Sequence, residues 1–341
     1  MTALDSPYIA PHSSSALPLI DTHTHFDAPV FDNDRAVQVE KACEQGVRHL
    51  MLVGYLYEHF DRLYETKRLI NEDFQSITVQ ATIVQSSIIK VANQKNSSLD
   101  AHIALGLHPF YIKQHTEAHL DSMAKMLADE CPLAIGEIGL DTFTDEMKQP
   151  DMLAKQEYFF KAQLDMAVTH QLPVMLHIRK AHAEALAILK AHDYNAHDLG
   201  GVAHSFSGGE QEAKAFVKLG FKLGITGQVT NPNAKKLRRA IQVAVNSYGL
   251  ECLVIETDCP DMTPIMCQHS NNSQSALGQN SDNGRDDTSA HNINVPANLP
   301  WVLLSLSELL DVPSYRLAEQ LWQNSCDALR TDWHYPIPSK G

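Results

Sequence analysis

The chain alternates short, almost uninterrupted apolar runs with amphipathic stretches, and this alternation limits its fold more than any other feature. About eight apolar runs occur between residues 17 and 258, and most precede a segment with helical periodicity. Strands that are apolar on both faces are typical of parallel sheets covered by helices. A closed barrel of eight such units takes about 250 residues. The sequence therefore predicts an α/β fold, the (β/α)8 TIM barrel.

The predicted elements follow one another closely along the chain. We place strands at residues 17–25, 47–54, 101–107, 133–141, 173–179, 201–206, 221–226 and 252–258. We place helices at residues 34–45, 59–71, 118–130, 156–170, 181–191, 210–219, 234–245, 296–310 and 314–329. Within the less regular stretch 76–99, residues 77–84 predict a further strand and residues 88–93 a helix.

We expect one barrel domain over residues 1–341, with its core at about 19–330. Residues 1–17 are rich in Ser, Pro and Ala, which predicts a loose leader. Residues 264–292 are rich in Ser, Asn, Gln, Asp and Gly and lack periodicity, which predicts a disordered insertion.

The net charge of −14 excludes a general electrostatic attraction of the protein to nucleic acids or anionic membranes. A polyanionic substrate must therefore be held locally, by cations or by a small basic patch. The compact basic cluster Lys235, Lys236, Arg238 and Arg239 could steer such a substrate, but a solvated helix face explains it better. We expect neither a secretory signal nor a membrane-spanning segment, and the six cysteines form no CxxC pair. We expect a cytoplasmic protein with reduced thiols, no membrane contact and no protein partner.

Two histidines leave the first predicted strand side by side. His23 and His25 are two residues apart after an apolar run, so on a strand they point to the same face. Two neutral imidazoles in this arrangement can bind zinc or manganese. The alternative is a chance pair of surface histidines, and the spacing alone does not decide between them.

Further ionisable residues stand at the ends of later strands, where TIM-barrel enzymes carry their catalytic groups. These residues are His108, Glu137, His177, His204 and Asp258. Each histidine taken singly could be a hydrogen-bonded core residue. A carboxylate between Gly136 and Ile138, in contrast, requires a cation. Together with the pair on the first strand, the set offers enough ligands for two metal ions.

The motifs around these residues resemble those of the TatD family of metal-dependent hydrolases. They are His23-Thr24-His25, Gly106-Leu107-His108-Pro109, Gly136-Glu137-Ile138-Gly139-Leu140-Asp141, Leu176-His177 with Arg179, His204-Ser205-Phe206-Ser207-Gly208 and Glu256-Thr257-Asp258-Cys259-Pro260. They occur in the family's order over about residues 19–329, and residues 258–262 are most similar to its YjjV branch. Asn294-Val295-Pro296 departs from the family's usual Asn-x-Pro segment, because its middle residue is apolar and it follows a long insertion.

The resemblance implies an amidohydrolase-like barrel that holds two divalent metal ions. The implied ligands are His23, His25 and Asp258 for one ion, His177 and His204 for the other, and Glu137 as a bridge between them. Imidazole-rich ligation favours Zn²⁺ or Mn²⁺, whereas the family resemblance implies Mg²⁺.

The residues suggest how such a centre would work. A metal-bound water loses its proton near neutral pH and can attack a phosphodiester clamped in line. We predict that Asp258 binds one ion and acts as the general base. Arg179 would pair with a phosphate oxygen, although a solvated residue at a strand end is an equal alternative. His108 would contact the substrate or protonate the leaving group, and Asp141 would orient a ligand.

We therefore expect a metal-dependent deoxyribonuclease that cleaves phosphodiester bonds in DNA, with single strands or ends as substrate. One alternative is a metal-dependent hydrolase of a small ester, amide or lactone. The end of strand four carries Glu137 instead of a lysine that could be carbamylated, which favours the nuclease. The other alternative is an inactive binding scaffold. The complete ligand set disfavours an inactive protein, and the acidic charge disfavours a module that binds nucleic acid by charge alone.

Overall fold

Eight parallel strands form one sheet that curls into a nearly closed barrel. The computed structural model describes residues 16–74, 98–268 and 293–336. The strands are β1 (Leu19–Thr24), β2 (Val47–Val53), β3 (Asp100–Leu105), β4 (Ala134–Asp141), β5 (Val174–Arg179), β6 (Val202–Ala203), β7 (Lys222–Ile225) and β8 (Leu253–Ile255). Neighbours in the sequence are neighbours in the sheet, from β1 through to β8. The predicted TIM barrel is confirmed.

Helices connect the strands and cover the outside of the barrel. Those of the described residues are α1 (Arg35–Glu44), α2 (Phe60–Arg68), α3 (Glu117–Glu130), α4 (Pro150–His170), α5 (His182–Ala191), α6 (Ala196–Leu199), α7 (Glu210–Lys218), α8 (Lys235–Tyr248), α9 (Leu299–Leu310) and α10 (Ser314–Leu329). Helix α4 begins at Pro150, earlier than predicted, because proline is well tolerated in the first helical turn. The short helix α6 was not expected from the sequence.

Several predicted segments lie outside the described residues. They are the leader up to residue 15, the strand at 77–84, the helix at 88–93 and residues 269–292 of the insertion. The first residues of that insertion, 264–268, are described and include a short 3-10 helix, Ile265–Cys267. Among the helices within the described ranges, none combines the length and the apolar character needed to cross a bilayer.

The barrel interior buries ionisable groups together with the apolar core. Every residue of β1 and β4 is buried, and these strands include His23 and Glu137. Burying such groups costs free energy unless they are paired or bind a cation. All six cysteines are free thiols.

β8 meets β1 through hydrogen bonds at and just beyond the carboxyl ends of the two strands. The backbone N–H of Asp258 donates to the carbonyl of His23 at 2.9 Å, and the N–H of His25 donates to the carbonyl of Cys259 at 2.9 Å. The hydroxyl of Thr22 adds a bond to the carbonyl of Ile255 at 3.1 Å. These bonds join the first strand to the last. They hold His23 and His25, from the start of the barrel, beside Asp258, from its end.

Strands β6 and β8 are shorter than the predicted spans 201–206 and 252–258. Ser205 has φ of 43° and Asp258 has φ of 54°, and this left-handed backbone cannot continue a strand. The predicted spans were therefore too long. His204 directly follows β6, Asp258 lies in the loop after β8, and both side chains reach the candidate metal centre.

The amino-terminal side of the barrel contains a histidine pair packed against an indole. Ring nitrogens of His49 on β2 and His102 on β3 are 3.1 Å apart, and Trp333 stacks on His49 with 4.0 Å between ring centroids. Burial lowers the pKa of His49 to about 3 and the pKa of His102 to about 4.

We expect the free energy of unfolding to fall as the pH drops from about 6.5, the ordinary histidine pKa. Below that pH the unfolded chain binds protons that the folded His49 and His102 do not bind, and the loss continues down to their folded pKa values of about 3 and 4. Replacing both by Gln should reduce the loss between pH 6.5 and pH 4 by roughly 3–5 kcal/mol. Urea unfolding across that range measures it, with exposed His197→Gln as control. An unchanged pH dependence in the double variant would contradict this explanation.

Candidate metal centre

The six predicted metal ligands meet at the carboxyl end of the barrel. They are His23, His25, Glu137, His177, His204 and Asp258. Glu137 lies in the middle of the group and only 1% of its surface is exposed. Its two carboxylate oxygens face different histidines, which divides the site into two groups.

Oxygen Oε2 of Glu137 faces the histidine pair of β1. It lies 3.4 Å from Nε2 of His23 and 3.4 Å from Nε2 of His25. Oδ1 of Asp258 lies 3.8 Å and 3.9 Å from the same two nitrogens. This first group offers two imidazoles and two carboxylates, a donor set that suits Zn²⁺ or Mn²⁺.

Oxygen Oε1 of Glu137 faces the second group. It lies 2.7 Å from Nδ1 of His177 and 3.5 Å from Nε2 of His204. Oδ2 of Asp258 is 3.6 Å from Nε2 of His204. Asp258 therefore contacts His204 as well as the first group, and the ligand atoms of His23, His204 and Asp258 lie close enough together to hold one ion.

Two of the candidate ligands donate a hydrogen bond from the ring nitrogen that points away from the centre. The other ring nitrogen then has its lone pair available for a metal ion. Nδ1 of His25 donates to the carbonyl of Val53 at 3.1 Å. Nε2 of His177 donates to Oδ2 of Asp141 at 2.9 Å, the orienting role expected of that carboxylate. An acceptor of this kind fixes the ring tautomer and leaves the lone pair of the inward nitrogen free.

His108 has the opposite arrangement. Its Nδ1 accepts a hydrogen bond from the backbone N–H of Phe110 at 2.9 Å, so the proton of the neutral ring is on Nε2. Nε2 points at the second group, 3.1 Å from Nδ1 of His177 and 3.4 Å from Oε1 of Glu137. Burial, together with the charge of His177, lowers the pKa of His108 to about 4 and keeps the ring neutral. A protonated nitrogen cannot bind a metal, which favours His108 as a hydrogen-bond donor to substrate.

The buried atoms of the first group fit a cation. Oε2 of Glu137 has no hydrogen-bond partner among the described residues. The Nε2 atoms of His23 and His25 approach each other to 3.4 Å beside it. An unpaired buried carboxylate oxygen is costly, and a divalent ion would satisfy this oxygen and both nitrogens together.

Electrostatics also favour positive charge at this place. Burial lowers the pKa of His25 and of His204, but the surrounding carboxylates outweigh burial and raise these values to about 9 and about 10. Burial raises the pKa of Asp258 to about 6. Burial would also raise the pKa of Glu137, yet the neighbouring histidines hold it well below its usual range. The site therefore attracts protons or, in their place, metal ions.

Glycines allow Glu137 to reach the centre. A side chain at Gly106, just beyond β3, would collide with the backbone of Gly136 and Glu137. A side chain at Gly136 would in turn collide with Met175 on β5. The absence of a Cβ at both positions lets the neighbouring strands approach closely around the bridging carboxylate.

Glu256 is a site residue to which the sequence alone assigned no role. It is fully buried, and its Oε1 lies 2.9 Å from Nδ1 of His204 in a bent contact. The same oxygen accepts the backbone N–H of Ser205 at 2.5 Å, and Gly224 leaves room for the carboxylate. The sequence did contain a signal for Glu256. Like Glu137, it is a carboxylate inside an apolar run, directly after Ile255, and a buried carboxylate needs a cationic partner.

We expect Glu256→Gln to weaken metal binding by the second group about 10- to 100-fold. The variant keeps the shape of the side chain but removes its negative charge. That charge orients the His204 ring and makes its Nε2 a stronger metal ligand. Competition titrations of Mn²⁺ or Zn²⁺ against a chromophoric chelator measure this affinity, with exposed Glu319→Gln as the matched control. Equal affinities in the two variants would show that Glu256 has only a structural role.

Arg179 stands exposed at the end of β5, on the rim of the site. Its guanidinium carbon lies 3.6 Å from the centroid of the Phe143 ring. Within the described part of the chain it forms no ion pair with a carboxylate. Its N–H groups are therefore available to a phosphate oxygen, as the predicted role requires.

The basic cluster at the start of α8 is largely used by the fold. Arg238 donates to the carbonyl of Val229 at 2.7 Å, and Arg239 pairs with Glu210. Lys235 and Lys236 are exposed. This arrangement favours a solvated helix face over a track for a nucleic-acid backbone.

The segment after the insertion docks on the loop that follows β8. The side-chain amide of Asn294 donates to the carbonyl of Thr257 at 2.8 Å, and its backbone N–H donates to the carbonyl of Pro260 at 2.9 Å. The apolar Val295 in the Asn-x-Pro segment is compatible with this closure. The loop carrying Asp258 is thereby held against the barrel.

Comparison with known proteins agrees with this architecture. The model of the family described as TatD related DNase matches residues 20–330. The chain belongs to the TatD family. It is thus a metal-dependent hydrolase acting on ester bonds, and the resemblance seen in its motifs is confirmed.

Relatives and a solved structure of the TatD family are similar to this chain. The metal-dependent hydrolase YjjV of Escherichia coli is 33% identical over 245 residues, which are 71% of this chain and 80% of YjjV. The crystal structure of YjjV has a TM-score of 0.68 at 30% identity, covering 93% of this chain and 100% of that one. A 3'-5' ssDNA/RNA exonuclease TatD from a Pantoea species is 35% identical over 160 residues, 47% of this chain and 58% of the relative.

Proposed function

We propose that this TatD protein is a deoxyribonuclease that hydrolyses phosphodiester bonds of single-stranded DNA or DNA ends with two divalent ions, Mg²⁺, Mn²⁺ or Zn²⁺. The position of Glu137 carries the proposal, because one oxygen faces His23 and His25 and the other faces His177 and His204. A carboxylate shared by two ligand groups is what a two-metal site requires. The relative named as a 3'-5' ssDNA/RNA exonuclease supports the substrate class.

The residues around the centre can divide the reaction among them. Bound metal ions supply Lewis acidity and lower the pKa of a water molecule. Asp258 directs one oxygen to His23 and His25 and the other to His204, which supports a role as the base that accepts the proton of the attacking water. Arg179 can hold a phosphate oxygen, and the Nε2–H of His108 can donate to the leaving oxygen. These roles agree with the strongly acidic chain, since a polyanion is then held only at the centre.

Metal-free protein reloaded with Mg²⁺, Mn²⁺ or Zn²⁺ tests the proposal on labelled single-stranded DNA, duplex DNA and a p-nitrophenyl ester. We expect metal-dependent cleavage of the single strand, none in chelator and none by Glu137→Ala. Glu319→Ala, an exposed glutamate on α10, is the matched control and should cleave normally.

Two outcomes would count against the proposal. Cleavage that persists in Glu137→Ala would come from a contaminating nuclease. Turnover of the ester without cleavage of any DNA would instead assign the protein to the hydrolases of small esters, amides or lactones.

A further inference from the structure

Two phenylalanine side chains stand exposed on the rim of the candidate metal centre. Phe110 follows β3 and is 39% exposed, and Phe143 follows β4 and is 48% exposed. These strands are neighbours in the barrel. Single exposed apolar side chains are common on protein surfaces, but these two stand where barrel enzymes bind their substrates.

Each phenylalanine is fixed by a side chain of the site itself. The backbone N–H of Phe110 donates to Nδ1 of His108 at 2.9 Å. The backbone N–H of Phe143 donates to Oδ1 of Asp141 at 2.8 Å, and Oδ2 of Asp141 accepts from His177. The backbone of both phenylalanines is therefore held at a set position relative to the centre.

Phe143 also forms a composite surface with Arg179. The guanidinium carbon lies 3.6 Å from the ring centroid, and the backbone N–H of Thr142 donates to the carbonyl of Arg179 at 2.9 Å, which joins the two loops. A guanidinium stacked on a ring keeps its N–H edge for phosphate oxygens. The exposed part of the ring remains open to a planar apolar group.

We propose that Phe143, together with Phe110, stacks on unpaired nucleobases of the substrate while Arg179 contacts the adjacent phosphate. Aromatic side chains beside a cation are the usual means of binding single-stranded nucleic acid without reading its sequence. A base in a duplex has its faces covered by neighbouring pairs, so the platform selects single strands or frayed ends. This inference rests on the proposed function, and it assigns substrate selection to residues outside the metal centre.

Steady-state cleavage of a labelled oligothymidylate tests the platform. We expect Phe143→Ala and Phe110→Ala each to raise KM about tenfold, with kcat within about twofold and unchanged metal content. Phe143→Tyr keeps an aromatic face and should restore KM. Tyr158→Ala is the matched control, because Tyr158 is 50% exposed on α4 and touches no site residue named above. With an oligomer whose terminal nucleotides lack bases, wild type and Phe143→Ala should have equal KM values.

Binding of the same oligomer in chelator, measured by fluorescence anisotropy, separates this inference from the proposed function. Weaker binding by Phe143→Ala in protein that never cleaves DNA would support the platform and overturn the nuclease. Cleavage with equal KM in Phe143→Ala and Tyr158→Ala, or an equal defect on the abasic oligomer, would overturn the platform alone. Failure of the wild type both to bind and to cleave would overturn both.

Discussion

Replacing Glu137 with glutamine is expected to lower the rate of phosphodiester cleavage by about 10³-fold or more and to weaken binding of both metal ions. The carboxylate is 1% exposed and directs one oxygen at each ligand group. A glutamine presents one oxygen and one NH₂ group, so one of the two groups would face N–H donors where a cation should bind. No other described side chain lies close enough to both groups to replace it except Asp258.

Metal content after dialysis and steady-state rates measure this effect together. Glu137→Asp is an informative companion, because it keeps the charge but shortens the reach and should retain metal in one group at most. Glu319→Gln controls for the loss of a surface charge. A Glu137→Gln protein with normal metal content and normal rate would refute the bridging role.

Replacing His108 with alanine is expected to lower kcat by about 10²- to 10⁴-fold without loss of metal. The bond from the N–H of Phe110 to Nδ1 leaves the ring proton on Nε2, on the side of the centre. That N–H can donate a hydrogen bond to the departing oxygen of the nucleotide and stabilise the charge that develops there, and a proton from solvent then neutralises the leaving group. A substrate with a p-nitrophenolate leaving group needs no such stabilisation, so the defect should nearly vanish on thymidine 5'-p-nitrophenyl phosphate.

The comparison of the two substrates decides what His108 does. An equal defect on both would mean that the imidazole binds substrate and does not stabilise the leaving group. Loss of metal from the variant would instead make His108 a ligand, and the tautomer derived from its contact with Phe110 would be wrong.

The sequence predicted the barrel and the six candidate ligands because both depend on simple regularities. Buried parallel strands need nearly continuous apolar runs, and a barrel brings the carboxyl ends of all its strands to one face. Residues as distant in sequence as His25 and Asp258 could therefore be expected side by side. Their division into two groups came from the family resemblance, and the contacts of Glu137 agree with it.

Other features depend on local geometry that the sequence does not display. The left-handed backbone at Ser205 and Asp258 ends β6 and β8 early, although neither residue is a glycine. The proton positions on His25 and His108 follow from acceptors and donors in the surrounding loops. The contact of Phe143 with Arg179 depends on the register of β4 and β5, in which the backbone of Asp141 lies opposite that of Arg179. No sequence pattern specified this register.

The junction between β1 and β8 has a consequence for biosynthesis. A ribosome makes His23 and His25 early, but the carboxylate of Asp258, which sits beside them, emerges only after nearly the whole barrel has been translated. A nascent or prematurely terminated polypeptide therefore has no complete place to load its ions. Acquisition of the metal becomes a late maturation step, and a hydrolase of this design stays inert inside the cell until its last strand is in position.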